Sequence, residues 1–293
     1  MVTDRKIIVS NGGTSLDLTL PPLYVENIEG FDTLDVKLVT SQGFSQDGAT
    51  LVNSYIEPRP LRIDGALTAA TTQQMQSLRD KILTMFLPKK ELTLTHYFGG
   101  VNRLIQVHAE KTPAFEFDKV SSIQRFSVSL EAMDPFWRDV KDTLVQMANL
   151  EGGFHFPLII PKAEGVTFGI KSTSLIANVY NRSAIKVGMT IEFSASGTVK
   201  NPYLFNVNTR EYIQINCTMT AGEQITIRTG DERTITRRLN GISKNYIGYV
   251  DIQGGGCTFL ELDVGDNLLR YGAADGESML AVKITFANKY VGV

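Results

Sequence analysis

Cysteine is almost absent from this chain: Cys217 and Cys257 are the only two in 293 residues. Two thiols cannot build a disulfide framework or a closed four-thiolate zinc site. They read as small buried side chains of a protein folded in a reducing cytoplasm. Long apolar runs are missing too. The longest lies around residues 157–161, against the roughly 20 residues that a membrane-spanning helix needs. Residues 1–10 carry Asp4, Arg5 and Lys6 where a secretion signal has its apolar stretch. The expectation is therefore a chain without a targeting segment or a membrane span. No charge sign dominates: 29 Lys and Arg stand against 31 Asp and Glu, with a net charge of -3 over residues 1–140 and +1 over the rest. Neither half has the basic excess that gripping phosphates requires, which argues against specific nucleic-acid binding. Internal repeats and low-complexity tracts are also lacking. What remains is globular material, 43% apolar and 20% charged, long enough for two domains whose cores need no covalent staples.

Strand signals dominate that material. Residues 31–39 alternate in part, Asp47-Gly48 marks a turn, and residues 51–56 and 59–65 follow as strands. Residues 125–132 alternate throughout: Phe126, Val128, Leu130 and Ala132 fall on one face, with Arg125, Ser127, Ser129 and Glu131 on the other. That is the period of a half-buried antiparallel strand. It stops at Asp134-Pro135 because proline has no N–H for the ladder. One segment differs. Met75, Leu78, Ile82 and Phe86 recur at helical spacing within residues 71–87, Thr71 with Gln74 fits a capping box, and Pro88 closes the end. Two strands then flank Phe98-Gly99-Gly100 as a hairpin over residues 91–109.

These signals predict a mainly β protein. A first β-sandwich-like domain over residues 1–140 carries the one helix and the hairpin. Residues 141–153 form a linker, with Gly152-Gly153 breaking both periodicities. A second β-sandwich spans residues 154–293. In that half, strand-like runs at 166–170, 174–180, 190–193, 203–206, 212–216, 224–228, 246–251, 258–262 and 280–287 are separated by turn residues at sandwich spacing.

Chemistry is hard to find among these strands. His96 shares strand parity with Leu92 and Leu94, and His108 lies on the next strand; a two-histidine metal site would still lack further ligands, so both read as ordinary hairpin residues. His155 is the third histidine. No Gly-x-Ser-x-Gly elbow occurs, and neither cysteine sits in the signature of a Cys–His enzyme. Gly254-Gly255-Gly256 precedes a strand-like run rather than a helix, so it reads as a turn or bulge rather than a phosphate cradle. Glu261, Asp263 and Asp266 suit a glycosidase pair or a calcium site on paper, yet their alternation with Leu260, Leu262 and Val264 reads as a solvated face. No catalytic, cofactor or metal residue is assigned.

Four segments form an ordered set: Ser45-Gln46-Asp47-Gly48 with Glu57-Pro58-Arg59-Pro60; the helix at 71–87 with its hairpin; Asp134-Pro135-Phe136-Trp137; and Gly265-Asp266-Asn267 with the residues to Tyr271. Their order and spacing resemble the distal tail protein (Dit) family of long-tailed bacteriophages, over essentially the whole chain. Phe154-His155-Phe156-Pro157 is similar to that family's entry into its second domain. The physical readings are structural: Asp134-Pro135 ends a strand, Phe136 and Trp137 wedge into a core, and Gly265-Asp266-Asn267 tolerates positive φ between strands. The signature positions are thus Asp47, Gly48, Arg59, Asp134, Pro135, Phe136, Trp137, Gly265 and Asn267.

The resemblance implies a structural protein rather than an enzyme, with no cofactor, sited at the tail tip of the virion after folding in the host cytoplasm. It implies a homo-hexameric ring built by the first domain. That ring joins the major tail tube protein to the tail-tip hub protein and receptor-binding proteins. The second domain is then a galectin-like or carbohydrate-module-like sandwich. An alternative reading makes that sandwich a carbohydrate-binding module for host cell-wall sugars. A wall hydrolase using Glu261, Asp263 or Asp266 is disfavoured, since no acid/base pair stands out.

Overall fold

The structure, a computed structural model, describes residues 5–116, 122–151, 170–173 and 175–293. They fall into two compact units. One runs through Val140 and includes Lys289–Val293; the other is Lys141–Asn288.

In the first unit, β1 (Lys6–Ser10), β2 (Ser15–Asp17), β3 (Leu23–Glu29), β4 (Val36–Ser41), β5 (Thr50–Ile56) and β6 (Arg59–Thr68) precede α1 (Thr72–Met85). After the helix come β7 (Glu91–Phe98), β8 (Val101–Ala109), β9 (Ala114–Phe115), β10 (Ile123–Ala132) and β11 (Trp137–Asp139). The main sheet is antiparallel, in the order β2-β1-β7-β8-β10-β6-β3. β11 pairs with β8 and with Lys289–Tyr290, so the chain returns to this sheet after the second unit. Strand β10 buries Phe126, Val128, Leu130 and Ala132 on one face, as its alternation requires. That stripe joins Leu61 and Ile63 of β6 and Leu92 and Leu94 of β7 in one apolar core. The helix adds Leu78, Ile82 and Met85 to it.

The helix begins where its cap dictates. Thr71 is extended and accepts the Gln74 N–H on its hydroxyl at 3.2 Å. The Gln74 side chain reaches one residue further back than a capping box does, and accepts the Ala70 N–H at 3.2 Å. The helix stops at Met85, short of the expected 87, because Phe86 becomes the C-cap and turns fully into the core. Thr71→Ala removes the hydroxyl acceptor and is expected to cost about 1 kcal/mol. Thermal melts of the two proteins read this directly, and superimposable melts would contradict the cap.

The second unit opens with β12 (Thr143–Gln146), β13 (Ala148–Glu151), β14 (Ile170–Thr173), β15 (Ile176–Asn181), β16 (Thr190–Ala195), β17 (Val199–Lys200) and β18 (Tyr203–Asn206). It continues with β19 (Tyr212–Gln214), β20 (Thr218–Met219), β21 (Gln224–Arg228), β22 (Thr234–Leu239), β23 (Ile242–Asn245), β24 (Gly265–Gly272) and β25 (Leu280–Phe286). Two sheets, β12-β25-β16-β21-β22-β23 and β15-β24-β18-β19, enclose one core. Ile191, Phe193, Ile227 and Ile284 supply one side; Val179, Leu204, Ile213 and Leu269 supply the other. This is a β-sandwich built on period-two alternation.

Several segments differ from the sequence reading. β12 and β13 lie within the stretch read as a linker. Residues 246–251 are not a strand: they close as a 3-10 turn, Ile247–Tyr249, in which Tyr246 and Tyr249 stack at 3.8 Å. Within 258–262 there is no strand: Leu262 makes an isolated bridge to Val187, and Thr258 N–H donates to the Tyr212 carbonyl at 2.8 Å. Conversely, β22 and β23 form a hairpin around Asn240-Gly241, both at positive φ, and β24 is a full strand. His155, the Phe154–Pro157 motif and the predicted strand residues 166–169 lie outside the described residues.

Candidate assembly surface

Hairpin β4–β5 projects from the first unit without a third strand. It pairs only with itself, with a register shift between Val39 and Thr40. Every residue of both strands is exposed, including Leu38 at 60%, Val52 at 64%, Val36 and Tyr55. At the tip, Phe44 is fully exposed (103%). An isolated two-stranded hairpin is marginal in water, and an apolar patch of this kind marks an interaction surface. Asp47 and Gly48 lie in the tip, where Gly48 takes φ +78° to turn the chain.

The root of the hairpin is held by the signature residues. Arg59, at the start of β6, is 0% exposed. Its Nε donates to the Pro135 carbonyl at 2.7 Å, and its Nη1 donates to the carbonyls of Gly30 (2.8 Å) and Phe31 (2.7 Å). Its Nη2 donates to the Val291 carbonyl. Burial holds the guanidinium pKa below its ordinary value, and Asp32 opposes that shift. The turn at Gly30 depends on glycine: φ is +84°, and a Cβ would sit 2.1 Å from the Pro60 carbonyl oxygen. Trp137, also buried, donates from Nε1 to the Phe31 carbonyl at 3.0 Å, and its ring lies 5.0 Å from that of Phe31. Asp134 accepts the Phe136 N–H at 3.3 Å and pairs with Lys289 at 2.8 Å. Glu57 N–H donates to the Asp35 carbonyl at 2.9 Å, closing the neck. Residues 30–31, 59 and 134–137 therefore meet at the point where the hairpin leaves the sheet.

His96 borders the same cluster. It faces the apolar side, as its parity with Leu92 and Leu94 implies, and is 2% exposed. Phe31 meets it edge-on at 5.7 Å, and Arg5 Nε donates to its Nε2 at 2.8 Å, a bond that requires neutral imidazole. Burial, followed by the Arg5 charge, depresses its pKa from 6.5 to about 4, with Asp32 opposing and Arg103 adding to the effect. The unfolded chain takes up a proton near pH 6.5 that the folded protein refuses until about pH 4. The stability from this residue is thus complete above the unfolded value and is lost as the pH falls toward the folded one. Urea unfolding is expected to show about 2 kcal/mol less stability near pH 5 than near pH 7 from this group. His96→Gln should shrink that difference; an unchanged difference would exclude His96 as its source. His108 does not join His96: it stands opposite Glu91, whereas His96 stands opposite Arg103.

In the second unit, Gly265 takes φ +88° at the turn into β24. Asn267 corrects the sequence reading. It is a strand residue, not a positive-φ one, and its buried amide ties the turn together. Its Oδ1 accepts the Asp263 N–H at 2.8 Å, and its Nδ2 donates to the carbonyls of Asp263 (2.8 Å), Gly265 (3.0 Å) and Val179 (3.3 Å). Asp263 pairs with Lys186 at 2.6 Å, and Asp266 accepts from Asn178 at 2.7 Å. Among the described residues no group of His, Cys, Asp and Glu is placed to hold a metal. Cys217 and Cys257 are partly exposed rather than buried, although burial still pushes the Cys217 thiol up. Sequence reasoning missed the buried role of Arg59. Its one signal is the company it keeps in the Glu57-Pro58-Arg59-Pro60 segment.

Comparison with known proteins gives this geometry a context. Residues 13–132 match the family model described as phage tail protein RIFT-related domain, and residues 182–290 match the siphovirus-type tail component, C-terminal domain. None of the curated proteins matches the chain. Among solved structures, the Dit (gp 19.1) protein of phage SPP1, described as a paradigm of the hub adsorption apparatus in phages infecting Gram-positive bacteria, is 11% identical. It aligns over 97% of this chain and 98% of its own, with a TM-score of 0.70. A chain of the phage P2 baseplate in its activated conformation with calcium is also 11% identical, over 99% of both chains, at 0.58. The strontium form gives 11%, 99% of both chains and 0.56. At such identities the likeness to solved structures is one of fold. The two family models lie one in each half of the chain and together span most of it, and the chain belongs to the siphovirus-type distal tail protein family.

Proposed function

We propose that this chain is the ring component of a long-tailed phage tail tip. Six copies close into a ring through the first unit, and the ring joins the tail tube to the tail-tip hub protein and to receptor-binding proteins. Its role is mechanical, with no bond-making step, and its working place is the virion. The observation that carries this reading is the β4–β5 hairpin, apolar on both faces and clamped at its root by Arg59 and Trp137. Such an element gains stability by adding to another sheet or packing against one. β2 and β3, the edge strands of the main sheet, offer unpaired backbone groups for that purpose. Contacts of hairpin to edge are heterologous, and a rotation of one-sixth turn closes them into a ring. The small net charge of -2 limits repulsion among six copies. Light scattering and negative-stain imaging of the purified chain test the reading. Rings of six subunits are expected; monomers at every concentration, in images and in scattering alike, would contradict it.

A further inference from the structure

The second unit carries a surface that ring closure does not call upon. Residues 212–216 run antiparallel to 249–251: Asn216 N–H donates to the Tyr249 carbonyl at 2.7 Å, Asp251 N–H donates to the Gln214 carbonyl at 3.1 Å, and Ile215 bridges Val250. Residues opposite one another in such a pair share a face. Ile215 and Val250 pack into the core, so Gln214, Asn216, Tyr249 and Asp251 fall on the outward face. Tyr249 is 49% exposed. Tyr246 covers one side of its ring at 3.8 Å and 10° between planes, and the residue is still half exposed beside that cover. Tyr246 is itself anchored, since Arg237 donates to its hydroxyl at 2.6 Å and also pairs with the buried Glu223.

Polar groups beside this ring are fixed in direction. Asp251 accepts from the Tyr212 hydroxyl at 3.2 Å on one oxygen and from the Asn216 amide at 3.3 Å on the other. Gln214 donates to the Asn216 amide oxygen at 2.8 Å. Each carboxylate oxygen keeps a further acceptor site. Gly254, the first of the Gly254-Gly255-Gly256 run, packs against this cluster. A Cβ on Gly254 would lie 1.8 Å from the Tyr212 hydroxyl and 2.5 Å from the Asp251 carboxylate, so a side chain there would displace the Tyr212–Asp251 pair.

We propose that this face binds a neutral pyranose sugar. The open side of Tyr249 stacks on the C–H face of the sugar ring, and Asp251 with the Asn216 and Gln214 amides bonds its hydroxyls. Asp251 disfavours anionic sugars. The geometry favours a glycan over a protein partner because its polar groups are held by one another beside an aromatic platform. This inference stands apart from ring formation, which light scattering reads separately.

The test uses the full chain on an array of neutral oligosaccharides of glucose, galactose, N-acetylglucosamine and rhamnose, followed by calorimetry on any that bind. Tyr249→Ala is expected to weaken binding at least about tenfold, and Asp251→Asn about fivefold; Tyr249→Phe, which keeps the stacking face, should bind within about twofold of the original. A sugar titration followed by the aromatic 1H–13C shifts of the unaltered protein keeps the test valid if a variant misfolds, and should move the Tyr249 ring signals. Silence across the array, equal binding by Tyr249→Ala, or shifts confined to signals elsewhere overturns the proposal.

Discussion

Arg59→Met is expected to bring the first unit to the edge of unfolding, with a loss of at least about 4 kcal/mol. Methionine preserves much of the apolar stem but removes every donor. The carbonyls of Gly30, Pro135 and Val291 would then lose the donor they share, while that of Phe31 keeps only Trp137 Nε1, and each group left unsatisfied costs about 1–3 kcal/mol. A domain's whole stability is only about 5–15 kcal/mol, so the loss would be visible at ambient temperature. Arg59→Lys keeps the charge and three donors on a point-like head that cannot span four acceptors, and should recover only part of the stability. Trp137, the sole tryptophan, touches the same carbonyl cluster and reports unfolding by fluorescence. A denaturation midpoint unchanged in Arg59→Met would show that the clamp is not what holds the hairpin root.

The paired change Leu38→Glu and Val52→Glu should do the opposite: leave the fold intact and stop assembly. Both side chains are exposed in the single chain, so stability should move by no more than about 0.5 kcal/mol. In a ring they would be covered, and burying two unpaired carboxylates per subunit would cost more than the contact returns. Monomers with an unaltered melt are the expected result. Rings at the original concentration would mean that the hairpin lies outside the contact between copies.

The contrast between these two sites explains what could be read from the amino acids. Helix α1 was legible because its cap and spacing are local, and β10 because its alternation is unbroken from Phe126 to Ala132. Residues 246–251 misled because an aromatic-rich run satisfies strand statistics, whereas the stacking of Tyr246 on Tyr249 wants a turn. β24 was hidden because Gly265-Asp266-Asn267 carries turn chemistry that ends at its first residue. Arg59 gave no sign of burial: arginine is ordinarily exposed, and its four acceptors come from three distant stretches of chain. Asp134-Pro135-Phe136-Trp137 pointed toward the cluster without revealing that it closes on Arg59. Two-sided exposure of β4–β5 is invisible to periodicity, since residues that are apolar for a neighbouring copy look the same as residues that are apolar for a core.

Hydrogen–deuterium exchange over residues 36–56, measured on the assembled protein and on the Leu38→Glu, Val52→Glu monomer, addresses the central claim most directly. Hairpin amides that exchange slowly in the assembly and rapidly in the monomer are the expected outcome. Equally rapid exchange in both would contradict it, and the contact between copies would have to be sought on another face of the first unit.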